Sequence, residues 1–135
     1  MNSSLSGRRV LVVEDEMLVA WNLEDLLADL GYVVVGPAAG IDQALTMIGA
    51  EAIDAALLDV NLDGRPSYRV ADALVARGVP FAFSTGYERE GLAAGYQTVP
   101  SVRKPFRASE VADMLAKLLT PGGPEIDPPE GESLS

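Results

Sequence analysis

Apolar and polar positions along this chain fall into two alternating rhythms. Short apolar runs at 8–13, 33–35, 55–58, 81–83 and 98–102 read as buried strands. Between them, apolar residues recur every three or four positions, as on a helix with one buried side. Residues 17–30 carry Leu18, Trp21, Leu23, Leu26, Leu27 and Leu30 in this way, and Gly31 can close the helix at positive φ. Residues 41–48 place Ala44, Leu45 and Ile48 inward. Residues 67–77 do the same with Val70, Ala71, Leu74 and Val75, with Ser67 able to cap the start and Gly78 the end. Residues 109–119 repeat the pattern with Val111, Met114, Leu115 and Leu118. Gly36-Pro37 should stop the second strand, and Asp63-Gly64-Arg65-Pro66 is loop chemistry. Gly91 and Gly95 interrupt 87–97, so a helix there should be short or loose.

Strands alternating with helices imply a parallel sheet covered on both faces. Right-handed crossovers make it a doubly wound α/β fold. The domain should occupy 8–119, after a flexible N-terminus at 1–7. From 120 to 135 the chain is rich in Pro, Gly and acids, which predicts a disordered tail. No repeat at solenoid spacing is present.

Composition narrows the chemistry. The 135 residues suit one domain, and a hydrophobic fraction of 48% is enough for a core. There is no cysteine and no histidine, so disulfides, thiolate metal sites and imidazole bases are excluded. Hard oxygen ligands remain, which suit Mg²⁺ or Ca²⁺. A net charge of -10 argues against nucleic acid as a partner. No apolar stretch is long enough to span a bilayer, and the N-terminus lacks a signal core. A cytoplasmic protein without membrane partners is expected, and Met1 together with the acidic end suggests a complete small protein.

Chemistry-bearing residues collect just past the apolar runs. Glu14-Asp15 follows the first, Asp59 the third, Ser84-Thr85-Gly86 the fourth, and Lys104-Pro105-Phe106 the fifth. In an open parallel sheet these strand ends share one crevice, where such folds bind ligands. Three close carboxylates repel unless a cation sits between them, and Mg²⁺ suits such ligands. The plainer alternative is that Glu14-Asp15 only caps the following helix. A carboxylate such as Asp59 can attack phosphorus and form an aspartyl phosphate. Lys104 and Thr85 are the cation and hydroxyl that would stabilise phosphoryl oxygens. Pro105 can hold the turn that aims the Lys104 amine, with a cis peptide bond before it.

Together, Val12-Val13-Glu14-Asp15, Asp54 with Leu57-Leu58-Asp59, Ser84-Thr85-Gly86 and Lys104-Pro105-Phe106 resemble a two-component response-regulator receiver domain, over 8–119. The resemblance implies a flavodoxin-like five-stranded sheet in 2-1-3-4-5 order. It implies that Asp59 is the phosphoacceptor, served by a histidine kinase or phosphotransfer protein. It implies Mg²⁺ held by Asp15 directly, by Glu14 through water, and by Asp59 and the Asn61 carbonyl, with Thr85 and Lys104 on the phosphoryl oxygens. Such a protein is a signalling module, not an enzyme. With no output domain expected beyond Leu119, its signal would pass by protein contact or phosphorelay.

The strand-five aromatic that usually takes part in switching is replaced by Ser101. Phe83-Ser84-Thr85-Gly86-Tyr87 resembles a stand-alone subclass with a Phe-Ala-Thr-Gly-x-Tyr motif, which makes Tyr87 a candidate switch residue. Plainer roles fall to Trp21 (core or half-exposed), Asp54 (structural), Met17 and Phe106 (packing, the latter near the crevice rim) and Arg103 (solvated or partner-facing). Three rival readings compete with this one. Asp59 to Gly64 imitates the start of an EF-hand loop, but its twelfth position is Val70. A haloacid-dehalogenase-like Mg²⁺ phosphatase would need a second Asp where Asn61 stands. A receiver-like interaction module working without phosphorylation is the third.

Overall fold

A computed structural model describes residues 7–62, 64–86 and 99–120. Eleven elements follow one another among the described residues: β1 (Arg9–Val13), α1 (Met17–Asp29), β2 (Val33–Ala38), α2 (Ile41–Ala50), β3 (Ala55–Asp59), β4 (Asn61–Leu62), β5 (Arg65–Pro66), α3 (Tyr68–Ala76), β6 (Phe81–Thr85), β7 (Ser101–Arg103) and α4 (Ala108–Leu119). Five strands form one sheet in the order β2-β1-β3-β6-β7, and every neighbouring pair is parallel. This is the doubly wound sheet expected from the alternating pattern, in the flavodoxin-like order that the receiver resemblance implied.

The period-two alternation of the strands divides the core into two layers. Leu11, Val13, Ala56, Leu58, Phe81 and Phe83 face α2 and α3. Val10, Val12, Ala55, Leu57, Ala82 and Val102 face α1 and α4. Phe81 and Phe83 are fully buried and meet edge to face at 5.6 Å. Burying each side chain contributes roughly 1.5–3 kcal/mol.

Four expectations change. In α1 the buried stripe is Ala20, Leu23 and Leu27, while Leu18 is exposed and Trp21 is half-exposed, the second of the two readings given for it. Leu18 falls on the opposite side of a 3.6-residue turn from that stripe. The second strand runs past Gly36-Pro37 to Ala38, with Gly36 and Pro37 of β2 opposing the single residue Val12 of β1 between the pairs Leu11↔Val35 and Val13↔Ala38. This bulge absorbs Gly36 at φ 98, and the Gly36-Pro37 bond is cis. The fifth strand begins at Ser101 rather than Thr98, paired as Phe83↔Ser101, Ser84↔Val102 and Thr85↔Arg103. Thr98 itself lies outside the described residues. Finally, the expected loop after Asp59 contains an antiparallel pair, Asn61↔Pro66 and Leu62↔Arg65, with Gly64 at φ 82. Asp-Gly between two short extended segments is a hairpin signal that the sequence did carry. The expectations for 1–6, 87–97 and 121–135, including the tail and Tyr87, fall outside the described residues.

At Gly36 an added Cβ would lie 2.9 Å from the Ala38 nitrogen and 3.0 Å from the Val12 carbonyl oxygen, whereas at Gly64 it would meet nothing within 4 Å. Both positions carry the backbone strain of positive φ. Gly36→Ala should therefore cost about 2–3 kcal/mol and Gly64→Ala about 1 kcal/mol. Urea denaturation midpoints check this; equal midpoint shifts would remove the close-approach reading of Gly36.

Candidate functional site

The parallel order places four strand ends side by side. Val13 of β1 pairs with Leu58 of β3, so Glu14 follows beside Asp59. Asp59 pairs with Ser84 of β6, and Thr85 with Arg103 of β7, so Lys104 leaves the sheet next to Thr85. Two backbone bonds pin these exits: Glu14 N–H to the Ala38 carbonyl at 2.9 Å, and Lys104 N–H to the Thr85 carbonyl at 2.8 Å.

Glu14 and Asp59 are buried, and Asp15 is not. One carboxylate oxygen from each of the three lies within 4.8 Å of the others. Lys104 reaches into this group. Its Nζ donates to Asp59 Oδ2 at 3.0 Å and lies 2.9 Å from Glu14 Oε1. The second contact is an ion pair by distance without hydrogen-bond alignment, and Glu14 Oε1 is left buried with no hydrogen-bond partner. Glu14 Oε2 accepts the Glu16 N–H at 3.0 Å, and Asp59 Oδ1 accepts the Asn61 N–H at 3.2 Å. Glu14 therefore serves the N-terminus of α1 with one oxygen and faces the Lys104 ammonium with the other, which the capping alternative does not require.

Three carboxylates against one ammonium leave two negative charges in excess. At such separations like charges repel by about 3 kcal/mol per pair at an effective dielectric of about 20. Protonation is one relief. Burial raises Glu14 to about 7, against the lowering effect of Lys104 and the Glu16 N–H. Burial also raises Asp59, opposed by Lys104. For Lys104, burial favours the neutral amine, but Glu14 and Asp59 outweigh it and raise its pKa. A cation is the other relief. The all-oxygen donor set, with three carboxylates to one ammonium, fits a hard divalent ion such as Mg²⁺.

Other sequence candidates lie around this centre. Asn61 is half-buried in β4, and Thr85 is buried at the end of β6. Ser101 stands on β7 opposite Phe83. The Lys104-Pro105 bond is cis, and Phe106 packs partly against the α1/α4 layer. An open cavity of about 350 Å³ adjoins the acids, lined by Asp15, Ala39, Gly40, Ile41, Leu62 and Arg65. Asp54 sits at the opposite end of the sheet, where it exchanges bonds with the Arg9 backbone at 2.8 Å, a structural role. Strand β3 leads into Asp59, which removes the helix-loop-helix required by the EF-hand reading. Sequence reasoning missed the true target of Ser67. Its hydroxyl makes no cap bond to α3 and instead donates to the Asp59 carbonyl oxygen at 2.6 Å. Only the folded hairpin brings residue 67 back to residue 59.

Comparison with known proteins agrees with this geometry. Residues 10–116 match the model of the response regulator receiver domain family. The positive alginate biosynthesis regulatory protein of Pseudomonas aeruginosa is 35% identical over 117 residues, which cover 83% of this chain and 47% of that protein. The chain spans about half the length of the curated relatives it matches. The solution structure of SdrG from Sphingomonas melonis Fr1 superimposes with a TM-score of 0.76 at 42% identity, covering 84% of this chain and 98% of SdrG. The receiver domain of a sensor histidine kinase from Pseudomonas aeruginosa PAO1, solved with magnesium in its active-site cleft, gives a TM-score of 0.70 at 25% identity, covering 84% of this chain and 98% of that domain. The first of these is a regulatory protein and the last a receiver domain. Strand order, the acid cluster with its lysine, and a family match over most of the chain lead to one conclusion: the protein belongs to the response regulator receiver domain family.

Proposed function

We propose that the chain accepts a phosphoryl group on Asp59 from a histidine kinase or phosphotransfer protein. The observation that carries this reading is the Lys104 amine, which comes from the end of β7 and reaches both Asp59 on β3 and Glu14 after β1. A structural ion pair would need one carboxylate; a phosphoryl pocket needs a nucleophile, a fixed cation and room for a metal.

In the transfer, an oxygen of Asp59 attacks the phosphorus of a phosphohistidine. The P–O bond forms as the P–N bond breaks, and the departing imidazole nitrogen keeps the bonding pair and takes a proton from water. Lys104 holds the Asp59 carboxylate in place beforehand and meets the phosphoryl oxygens afterwards, with Thr85 beside it. Asp15, Glu14, Asp59 and the Asn61 carbonyl would hold Mg²⁺. The bound ion would neutralise phosphoryl charge, and the magnesium coordinated in the related kinase receiver domain supports that choice. Output is by contact with another protein or by onward relay, as a population shift between two states of the domain. Tyr87 and Ser101 are the proposed departures from the usual aromatic switch, in a cytoplasmic stand-alone receiver. Among the described residues no helix is long and apolar enough to cross a membrane.

Incubation with acetyl phosphate and Mg²⁺ should add one phosphoryl mass to the chain, and Asp59→Asn should reduce labelling at least 100-fold (~2.7 kcal/mol). Undiminished labelling of that variant would falsify the assignment. Lys104→Ala should still accept the group, but the amide shift changes outside the crevice should fall away. Normal distant shifts would take Lys104 out of the switch.

The raised acids also set a pH dependence. Glu14 titrates at 4.5 in the unfolded chain and at about 7 in the fold. Between those values the folded state holds a proton that the unfolded state has lost, so stability falls as pH rises through the window. The raised Asp59 acts in the same direction. In chelator the melting temperature should therefore drop between pH 5 and pH 7.5, and Glu14→Gln should flatten the drop. Mg²⁺ competes with that proton, so its affinity should weaken by up to tenfold per unit below about pH 7. A pH-independent Mg²⁺ affinity would contradict Glu14 as a participant.

A further inference from the structure

We propose that Ser67 is a positioning residue for the segment that carries Asn61; this rests on the phosphoacceptor reading above. Ser67 is completely buried. It ties the two ends of the 60–66 segment together through three groups. Its Oγ donates to the Asp59 carbonyl oxygen at 2.6 Å, and its N–H donates to the Val60 carbonyl at 2.9 Å. Its own carbonyl accepts the N–H groups of Val70 at 3.0 Å and Ala71 at 3.2 Å, the first turn of α3. A serine at a helix start ordinarily turns its hydroxyl toward an N–H two or three residues on. Ser67 gives up that role and points back across eight residues to the end of β3.

The consequence falls on Asn61. That residue lies inside the clasp, paired with Pro66 across the hairpin, and its N–H reaches Asp59 Oδ1. Leu62, also inside the clasp, is buried and holds the hairpin against the core. On the helix side, Tyr68 follows Ser67 and packs edge-on against Phe83 at 6.4 Å, two residues before Thr85. The serine hydroxyl thus joins the backbone of Asp59, the loop that carries the Asn61 carbonyl proposed above as a metal ligand, and a helix anchored to β6. Loss of the hydroxyl frees that carbonyl to wander and lowers the pre-organisation of the metal site.

The test is a magnesium titration of the full chain, followed by calorimetry or amide shifts, with melting curves in chelator alongside. Ser67→Ala should weaken Mg²⁺ binding about 3–10-fold, the range expected for one net hydrogen bond. Ser67→Cys, nearly the same size but a weak donor, should do the same and serves if the alanine variant does not fold. Ser67→Thr, which keeps the hydroxyl, should stay within about twofold. Ile48→Val, a core change on α2, should lower the melting temperature without moving Mg²⁺ affinity. The proposal is overturned if the alanine or cysteine variant binds Mg²⁺ as tightly as the unaltered chain, or if Ile48→Val weakens binding equally. A different failure, in which the unaltered chain neither binds Mg²⁺ nor accepts phosphoryl from acetyl phosphate, would strike the underlying reading instead.

Discussion

The site depends on one ammonium group placed between two buried carboxylates. Lys104 sits within 3.0 Å of both Glu14 and Asp59. Without it the two acids would face each other in a poorly solvated crevice, and burial alone would drive both toward protonation. With it the site is held near ionisation but still over-supplied with negative charge. That imbalance leaves the crevice with more carboxylates than its one ammonium can neutralise, which suits it to a cation. A fully neutralised cluster would hold its shape and respond to nothing.

The sheet makes this possible because parallel strands present their C-terminal ends on the same edge. Glu14, Asp59, Thr85 and Lys104 are spread across 91 positions of sequence, yet each follows its own strand by no more than one residue or ends it. The two apolar layers, one under α2 and α3 and the other under α1 and α4, fix the strand register. A slip by one residue in β3 would turn Asp59 to the other face and bury the wrong side chains. Core packing and site geometry are therefore the same constraint seen from two ends of a strand.

Ser67 extends this coupling beyond the sheet. Its hydroxyl belongs by position to a helix start, but by contact to the carbonyl of Asp59. The exposed Met17, Leu18 and Trp21 show the same principle from the surface. Helical spacing included Leu18 in the apolar side, but α1 has room for only one stripe on the sheet, and Ala20, Leu23 and Leu27 occupy it.

What the sequence determined by itself was local or ordinal. The alternating rhythms specified strands and helices in order. The residues closing each apolar run specified which chemistry would stand at the crevice. Asp59, Glu14, Asp15, Thr85 and Lys104 could all be named because each is adjacent in sequence to the strand that positions it. The bulge at Gly36, the shortened β7 and the direction of the Ser67 hydroxyl could not. Each depends on a partner elsewhere in the chain: Val12 behind Gly36, β6 beside β7, and Asp59 above Ser67. Hydrogen bonds between remote segments are decided only when packing has fixed the distance between them, and that is the step tertiary structure alone performs.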